Sequence, residues 1–200
     1  MRMKILFKSI VTGLLLTTLI SFLPFEKRCR DINSEVLRIH ILADSDSEYD
    51  QNLKLKVRDA ILKFTDSLYD NVDSKEEAIV LTENNIPSII KVAESTLRAN
   101  GDSSSVSAEV TNMDFNTRYY GDITMPSGNY TALRVKIGSG KGKNWWCVMY
   151  PSLCLYTSSD KNNLENKLEN SEYEVVSDSE KYQFRFKILE YFDYFCSWFR

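Results

Sequence analysis

Residues 35–68 read EVLRIHILADSDSEYDQNLKLKVRDAILKFTDSL. Leu37, Ile39 and Ile41 alternate with Arg38 and His40, the two-residue period of a strand with one buried face. Ala43-Asp44-Ser45-Asp46-Ser47-Glu48 comes next as an acidic turn. Ser45 and Glu48 have capping-box spacing, and Asp46, Glu48 and Asp50 place negative charge where a helix N-terminus favours it. Beyond the turn, Tyr49, Leu53, Val57, Ala60, Ile61, Phe64 and Leu68 recur at helical spacing, with Asp50, Lys54, Arg58 and Asp59 on the other face. Strand, acidic turn and amphipathic helix together set the expectation of an α+β domain.

Downstream, Ser74 and Glu77 form a second capping box, opening a helix to about Asn84. Asn85-Ile86-Pro87 interrupts it, and Pro87 suits the first turn of a further helix lined by Ile86, Ile90, Ala93 and Leu97, which Asn100-Gly101 ends. The remainder is β-rich. Val106, Ala108 and Val110 alternate, as do Leu133, Val135 and Ile137, and Met125-Pro126-Ser127-Gly128 reads as the loop between strands near Phe115–Tyr120 and Tyr130–Ile137. A short strand, Trp145–Tyr150, comes after the Gly138-Ser139-Gly140-Lys141-Gly142-Lys143 loop. The expected architecture is a mixed or antiparallel sheet packed with two to three helices, over residues 30–157. Residues 158–181 read as a polar linker or weak surface helix. In 182–200, Phe184, Phe186 and Ile188 alternate, and Tyr191, Phe192, Tyr194, Phe195, Trp198 and Phe199 continue as a strand or helix that docks on the core or meets a membrane or partner.

Upstream, Arg2, Lys4 and Lys8 precede a run without charge from Ser9 to Phe25. As a helix that run rises about 25 Å, close to the roughly 30 Å of a hydrocarbon core. A basic N-terminal flank directs the downstream chain across the membrane. Residues 1–26 are therefore a signal peptide or signal-anchor, and the rest of the chain is expected outside the cytoplasm. Pro24 and Phe25 stand where a small-residue cleavage pattern would be. Lys27 and Arg28 before Cys29 argue against a lipoprotein.

Charge and composition exclude several classes. Setting aside Arg2, Lys4, Lys8 and Glu26 leaves 22 basic and 27 acidic residues, a net of −5, so there is no basic surplus for nucleic acid. With one histidine, neither a His-Glu-x-x-His zinc site nor a zinc knuckle is expected, and a hydrolytic triad would have to use His40. The glycine loop lacks the Gly-x-x-x-x-Gly-Lys-Ser/Thr pattern and precedes a strand, so no helix N-terminus would face a phosphate. No cofactor, metal or catalytic residue is expected.

Asn144-Trp145-Trp146-Cys147-Val148-Met149-Tyr150-Pro151-Ser152-Leu153-Cys154 is the richest segment. Adjacent tryptophans on a strand point to opposite faces, one to the core and the other to a second layer or a partner. Cys147 and Cys154, if oxidised, would constrain the unfolded chain by roughly 2–3 kcal/mol. If reduced, they are two buried thiols. Export favours the disulfide.

Leu42-Ala43-Asp44-Ser45-Asp46-Ser47, running into Asp50-Gln51 and Lys56-Val57-Arg58-Asp59, resembles the opening signature of the stage II sporulation protein R family. Tyr120-Gly121, Pro126-Ser127-Gly128 and Tyr130–Gly138 resemble its middle, and Gly142–Cys154 its most specific stretch. The likeness covers residues 35–156. The family pattern has Asn, Phe and Pro where this chain has Asp44, Tyr150 and Ser152, and the tail beyond 157 matches nothing in it.

The resemblance implies a protein made in the forespore and exported into the space between the forespore and mother-cell membranes. There it would activate a membrane-embedded aspartic protease that processes the mother-cell pro-sigma-E factor. It would be the signal, not an enzyme, either secreted or tethered by residues 9–25. The expected partner contacts are Asp44, Asp46, Arg58, Arg118, Arg134, Asn144, Trp145 and Trp146. The rival readings are a secreted hydrolase using His40 and a membrane-associated structural protein.

Overall fold

A computed structural model of the chain describes residues 2–69, 71–154 and 158–197. The side chains of residues 15, 18, 19, 158–161, 179, 192, 193 and 195–197 lie outside that description, as do Trp198 and Phe199 altogether. Two compact units result. One joins Met1–Asn33, Asn116–Gly128 and Asn170–Arg200, and the other Ser34–Phe115 and Asn129–Glu169. The elements in chain order are α1 (Arg2–Glu35), β1 (Leu37–Leu42), α2 (Glu48–Leu68), α3 (Lys75–Asn84), α4 (Ile86–Ala99), β2 (Val106–Phe115), β3 (Arg118–Tyr120), β4 (Ile123–Met125), β5 (Gly128–Ile137), β6 (Asn144–Tyr150), α5 (Ser158–Lys167), α6 (Asn170–Ser177) and α7 (Ser179–Ser197). The chain is α+β with a mixed sheet.

The sheet unit is built on a four-stranded sheet of order β2-β5-β1-β6. Strand β1 lies between a parallel β5 and an antiparallel β6, so that His40 stands level with Arg134 on one side and Trp146 on the other. Side-chain bonds from Asn129 to Asp114, Thr131 to Asn112 and Arg134 to Glu109 run in opposite senses along β5 and β2, which makes that pair antiparallel. Helix α2 packs on β1 and α4, and α4 packs on β2. Their buried stripes are Leu53, Val57 and Ile61 on α2, and Ile89, Ala93 and Leu97 on α4. The helix starts obey the serine signals. Ser74 Oγ accepts the amide of Glu77, and Glu77 accepts that of Asp73. The cap of α2 is Ser47, which accepts the amide of Asp50, not Ser45 as its spacing suggested. Ser45 instead folds into the turn, accepting the amide of Ser47 and donating to the Asp50 carboxylate.

The expectation that β1 buries one face is corrected. Leu37, Ile39 and Ile41 are fully buried, and so are Arg38 and His40 on the opposite face. Aromatic side chains distant in sequence make this possible. The Arg38 guanidinium lies 4.0 Å from the Phe115 ring centre and 4.8 Å from that of Tyr130, and its Nε donates to the Cys147 carbonyl at 3.5 Å. Cation–π contact offsets part of the cost of taking the charge out of water.

In the helical unit, α1 buries Phe25, Cys29 and Ile32, and α7 buries Tyr182, Phe186 and Leu189. The Phe25 ring stacks on Tyr182 with centres 5.6 Å apart and meets the edge of Phe186 at 5.4 Å. The strand expected near Phe115–Tyr120 is split: Phe115 ends β2, while β3 pairs with β4 in a two-stranded sheet of this unit. Thr117 donates its amide to Glu190 of α7 at 3.1 Å. Residues 158–181, expected as a polar linker or weak surface helix, form two helices that bury Leu164, Leu168, Val175 and Val176. The alternation at Phe184, Phe186 and Ile188 belongs to a helix, not a strand. Phe186 falls on its buried face and Phe184 on its open one. Of the other C-terminal aromatics, Phe192 and Phe195 fall among the undescribed side chains. Among the described residues, no helix is long and apolar enough to cross a membrane. The side chains at 15, 18 and 19, within the leader's apolar run, lie outside that set.

Candidate functional site

Strands β5 and β6 flank β1, so the loop between them must cross the end of β1, and it does so against the acidic turn. Ser139 donates its amide to Asp44 Oδ1 at 2.6 Å and its hydroxyl to the Asp44 carbonyl at 2.9 Å. Gly142 donates its amide to the Ala43 carbonyl at 2.9 Å, and Lys143 donates its own to Asp46 Oδ1 at 2.7 Å. Two glycines are required by this closeness. Gly138 has φ +53°, and a Cβ there would stand 2.5 Å from Asp44 Oδ1. A Cβ on Gly142 would overlap the Ser45 carbonyl oxygen. The loop that resembled a phosphate cradle is thus filled by the chain's own acidic turn. The Ser139 amide, and then its side chain, hold the Asp44 carboxyl below the ordinary carboxylate range.

One stripe of α2 holds the same loop from the helix side. Gln51 donates to the Ser45 carbonyl at 2.8 Å, and Lys54 Nζ donates to the Lys143 carbonyl at 2.8 Å and to Gln51 at 2.6 Å. One turn on, the Arg58 guanidinium lies 5.0 Å from the Trp145 ring centre and pairs with Asp59 at 2.7 Å. Burial pushes the Lys54 amine below its usual value, an effect opposed by the carboxylate of Asp46.

Trp145 and Trp146 diverge as expected. Trp145 faces α2, whereas Trp146 lies flat on His40, with ring centres 3.7 Å apart and planes 1° apart, and takes Phe115 edge-on at 4.7 Å. Asn144 Oδ1 lies 2.6 Å from His40 Nε2. His40 is therefore packed, stacked and hydrogen-bonded. Cys147 and Cys154, expected as a disulfide, stand as free thiols in this structure. Cys147 is buried in the strand, and the Cys154 thiol donates to the Val148 carbonyl at 2.9 Å, so each side chain is otherwise engaged. Among the described residues, no group of three His, Cys, Asp or Glu is placed to hold a metal ion.

The fold thus joins Asp44, Asp46, Arg58, Asn144, Trp145 and Trp146 into one end of the sheet unit. Arg134 stands farther along the same sheet, level with His40, and pairs at 3.5 Å with Glu109 beside a shallow groove of about 230 Å3. Arg118 belongs to the other unit, opposite Met125 in the β3–β4 pair. Sequence reasoning missed Gln51, Lys54 and Ser139. Polar residues on a helix face or in a glycine loop carry no sign of a partner so far away in the chain. The tyrosine at 150 is accommodated by a specific bond, its hydroxyl donating to the Val72 carbonyl at 3.0 Å.

The family model described as Stage II sporulation protein R matches residues 33–160. Stage II sporulation protein R of Bacillus subtilis (strain 168) is 36% identical over 129 residues, 64% of this chain. The matched stretch spans 58% of that relative's length. No solved structure matches the chain.

Proposed function

The chain belongs to the stage II sporulation protein R family, and from that premise we propose that it is an exported sporulation signal. It activates a membrane-embedded aspartic protease of the mother cell, which then processes the pro-sigma-E factor. The observation that carries this reading is the family match over residues 33–160, which takes in the whole turn–loop–tryptophan arrangement. A signal activates by binding the active state of its target more tightly than the idle one. The pairing of Arg58 with Trp145 supplies a suitable patch, since both residue types anchor interfaces. Asp44 and Asp46 support the patch from within, because their carboxylates are already used by the loop.

Export comes from the leader, and the packing of the helical unit favours a retained leader. Phe25 is buried against Tyr182 and Phe186, so cleavage after residue 26 would remove a core side chain. On this reading residues 9–25 tether the protein in the forespore membrane, facing the gap between the two membranes. Co-expression of the protease, pro-sigma-E and this chain tests the proposal. Processing is expected with the unaltered chain and a several-fold loss with Trp145→Ala or Arg58→Ala. No processing with the unaltered chain would overturn the signalling role, and undiminished processing with folded variants would remove these residues from the interface.

A further inference from the structure

Helix α7 lies beyond the matched residues 33–160, and its two sides differ. Tyr182, Phe186 and Leu189 point into the helical unit. On the opposite side, spaced by seven and three residues, Phe184, Tyr191 and Tyr194 are 77%, 74% and 80% exposed. At 3.6 residues per turn these three fall within one quadrant of the helix. Lys187 lies among them, paired with Glu190 at 2.8 Å and within electrostatic reach of Tyr119 and Tyr191, and Tyr119 on β3 is itself half-exposed. The result is an exposed aromatic patch with the Lys187–Glu190 ion pair beside it. Three large aromatics mostly exposed on one helix face are costly in water.

The level at which this patch sits is fixed by Phe25. That residue ends the run without charge that began at Ser9, and it is the ring on which Tyr182 and Phe186 of α7 pack. Along the described part of the run, Ile10, Leu14, Leu16, Ile20 and Leu23 are exposed on α1. On the tethered reading this run lies in lipid, and the place where it leaves lipid is the interface, where tyrosine and tryptophan accumulate. Helix α7 is packed at that place.

We propose that the open face of α7, with Tyr119, rests in the headgroup region of the bilayer that holds the leader. Phe184, Tyr191 and Tyr194 enter lipid and Lys187 meets lipid phosphates. The proposal rests on the tethered reading of residues 9–25 and adds a second contact that fixes the helical unit against the membrane.

The full chain in vesicles of phosphatidylethanolamine and phosphatidylglycerol, sedimented and then labelled with hydroxyl radicals, tests it. Tyr49 of the sheet unit is the internal reference. It is 52% exposed, less than Tyr191 or Tyr194, so in water it would label less than either. On vesicles the order is expected to reverse, with Tyr191 and Tyr194 labelled several-fold less than Tyr49. In the variant Phe184→Glu with Tyr191→Glu, Tyr194 is expected to regain its labelling while the chain still sediments. A chain that sediments with Tyr191 and Tyr194 labelled at least as strongly as Tyr49 overturns the contact and leaves the tether standing. A chain that stays in the supernatant overturns the tether and the contact with it.

Discussion

The carboxylate of Asp44 holds the backbone amide of Ser139 at 2.6 Å across 95 positions of sequence. This bond joins two segments by which the family is matched, and it explains why an acidic turn and a glycine loop go together. The turn supplies acceptors, and the loop supplies backbone donors that only a chain nearly bare of side chains can bring so close.

Because this bond is stronger to the charged carboxylate than to the neutral acid, it gives the fold a definite response to acid. The Asp44 pKa is lowered from 3.8 in the folded chain, chiefly by the Ser139 amide. A lowered folded-state value means the bond contributes stability above pH 3.8 and loses it as pH falls through the lowered value. An NMR titration of the Asp44 carboxyl is expected to show its midpoint below 3.8. Asp44→Asn should flatten that part of the acid unfolding curve while keeping the fold, because an amide oxygen can still accept from Ser139.

Gly142→Ala tests the steric half of the same arrangement. The added methyl meets the Ser45 backbone, which cannot rotate away, so the loop must lift from the turn. A loss of more than about 1 kcal/mol is expected in urea unfolding. Unchanged stability would show that the loop does not lie on the turn.

Trp146 bridges His40 and Phe115 on the face of the sheet that also buries Arg38. Trp146→Ala is expected to cost about 2–4 kcal/mol, and Trp146→Phe less, because a smaller ring still stacks on the imidazole. Equal losses in the two variants would mean that indole edge contacts, not the stack, provide the stabilisation.

The thiols of Cys147 and Cys154 make a simple forecast. Adding a reductant to the purified protein should leave its thermal midpoint where it was. A disulfide in that loop would contribute roughly 2–3 kcal/mol, and reducing it would lower the midpoint by several degrees.

Where side chains signal to near neighbours, the sequence could be read. The strand at Leu37, Ile39 and Ile41, the serine before α3 and the opposed tryptophans are all signalled within a few residues, and each was found as expected. Arg38 and His40 were misread because polar residues on a strand normally mark a wet face. Their covers, Phe115, Tyr130 and Trp146, come from other strands. The helices from Ser158 onward were obscured for another reason: few apolar residues, widely spaced, gave Leu164 and Leu168 no visible stripe. The site was legible as a set of segments, while the bonds that unite them were not.

The position of β1 in the sheet bears on how the protein is made. Its six residues begin at Leu37, yet its neighbours arrive about a hundred residues later, as the contacts from Arg38 to Cys147 and from His40 to Asn144 show. Contacts so distant along the chain form slowly, since a long loop must close before any of them contributes. While the polypeptide emerges from the ribosome with its N-terminus leading, β1 has no neighbour until β5 is out, and the sheet stays incomplete until Tyr150 follows. On the proposed export, a translocase that accepts only unfolded chains would therefore have most of this protein's synthesis in which to engage it, and the last strand to appear would close the domain on the far side.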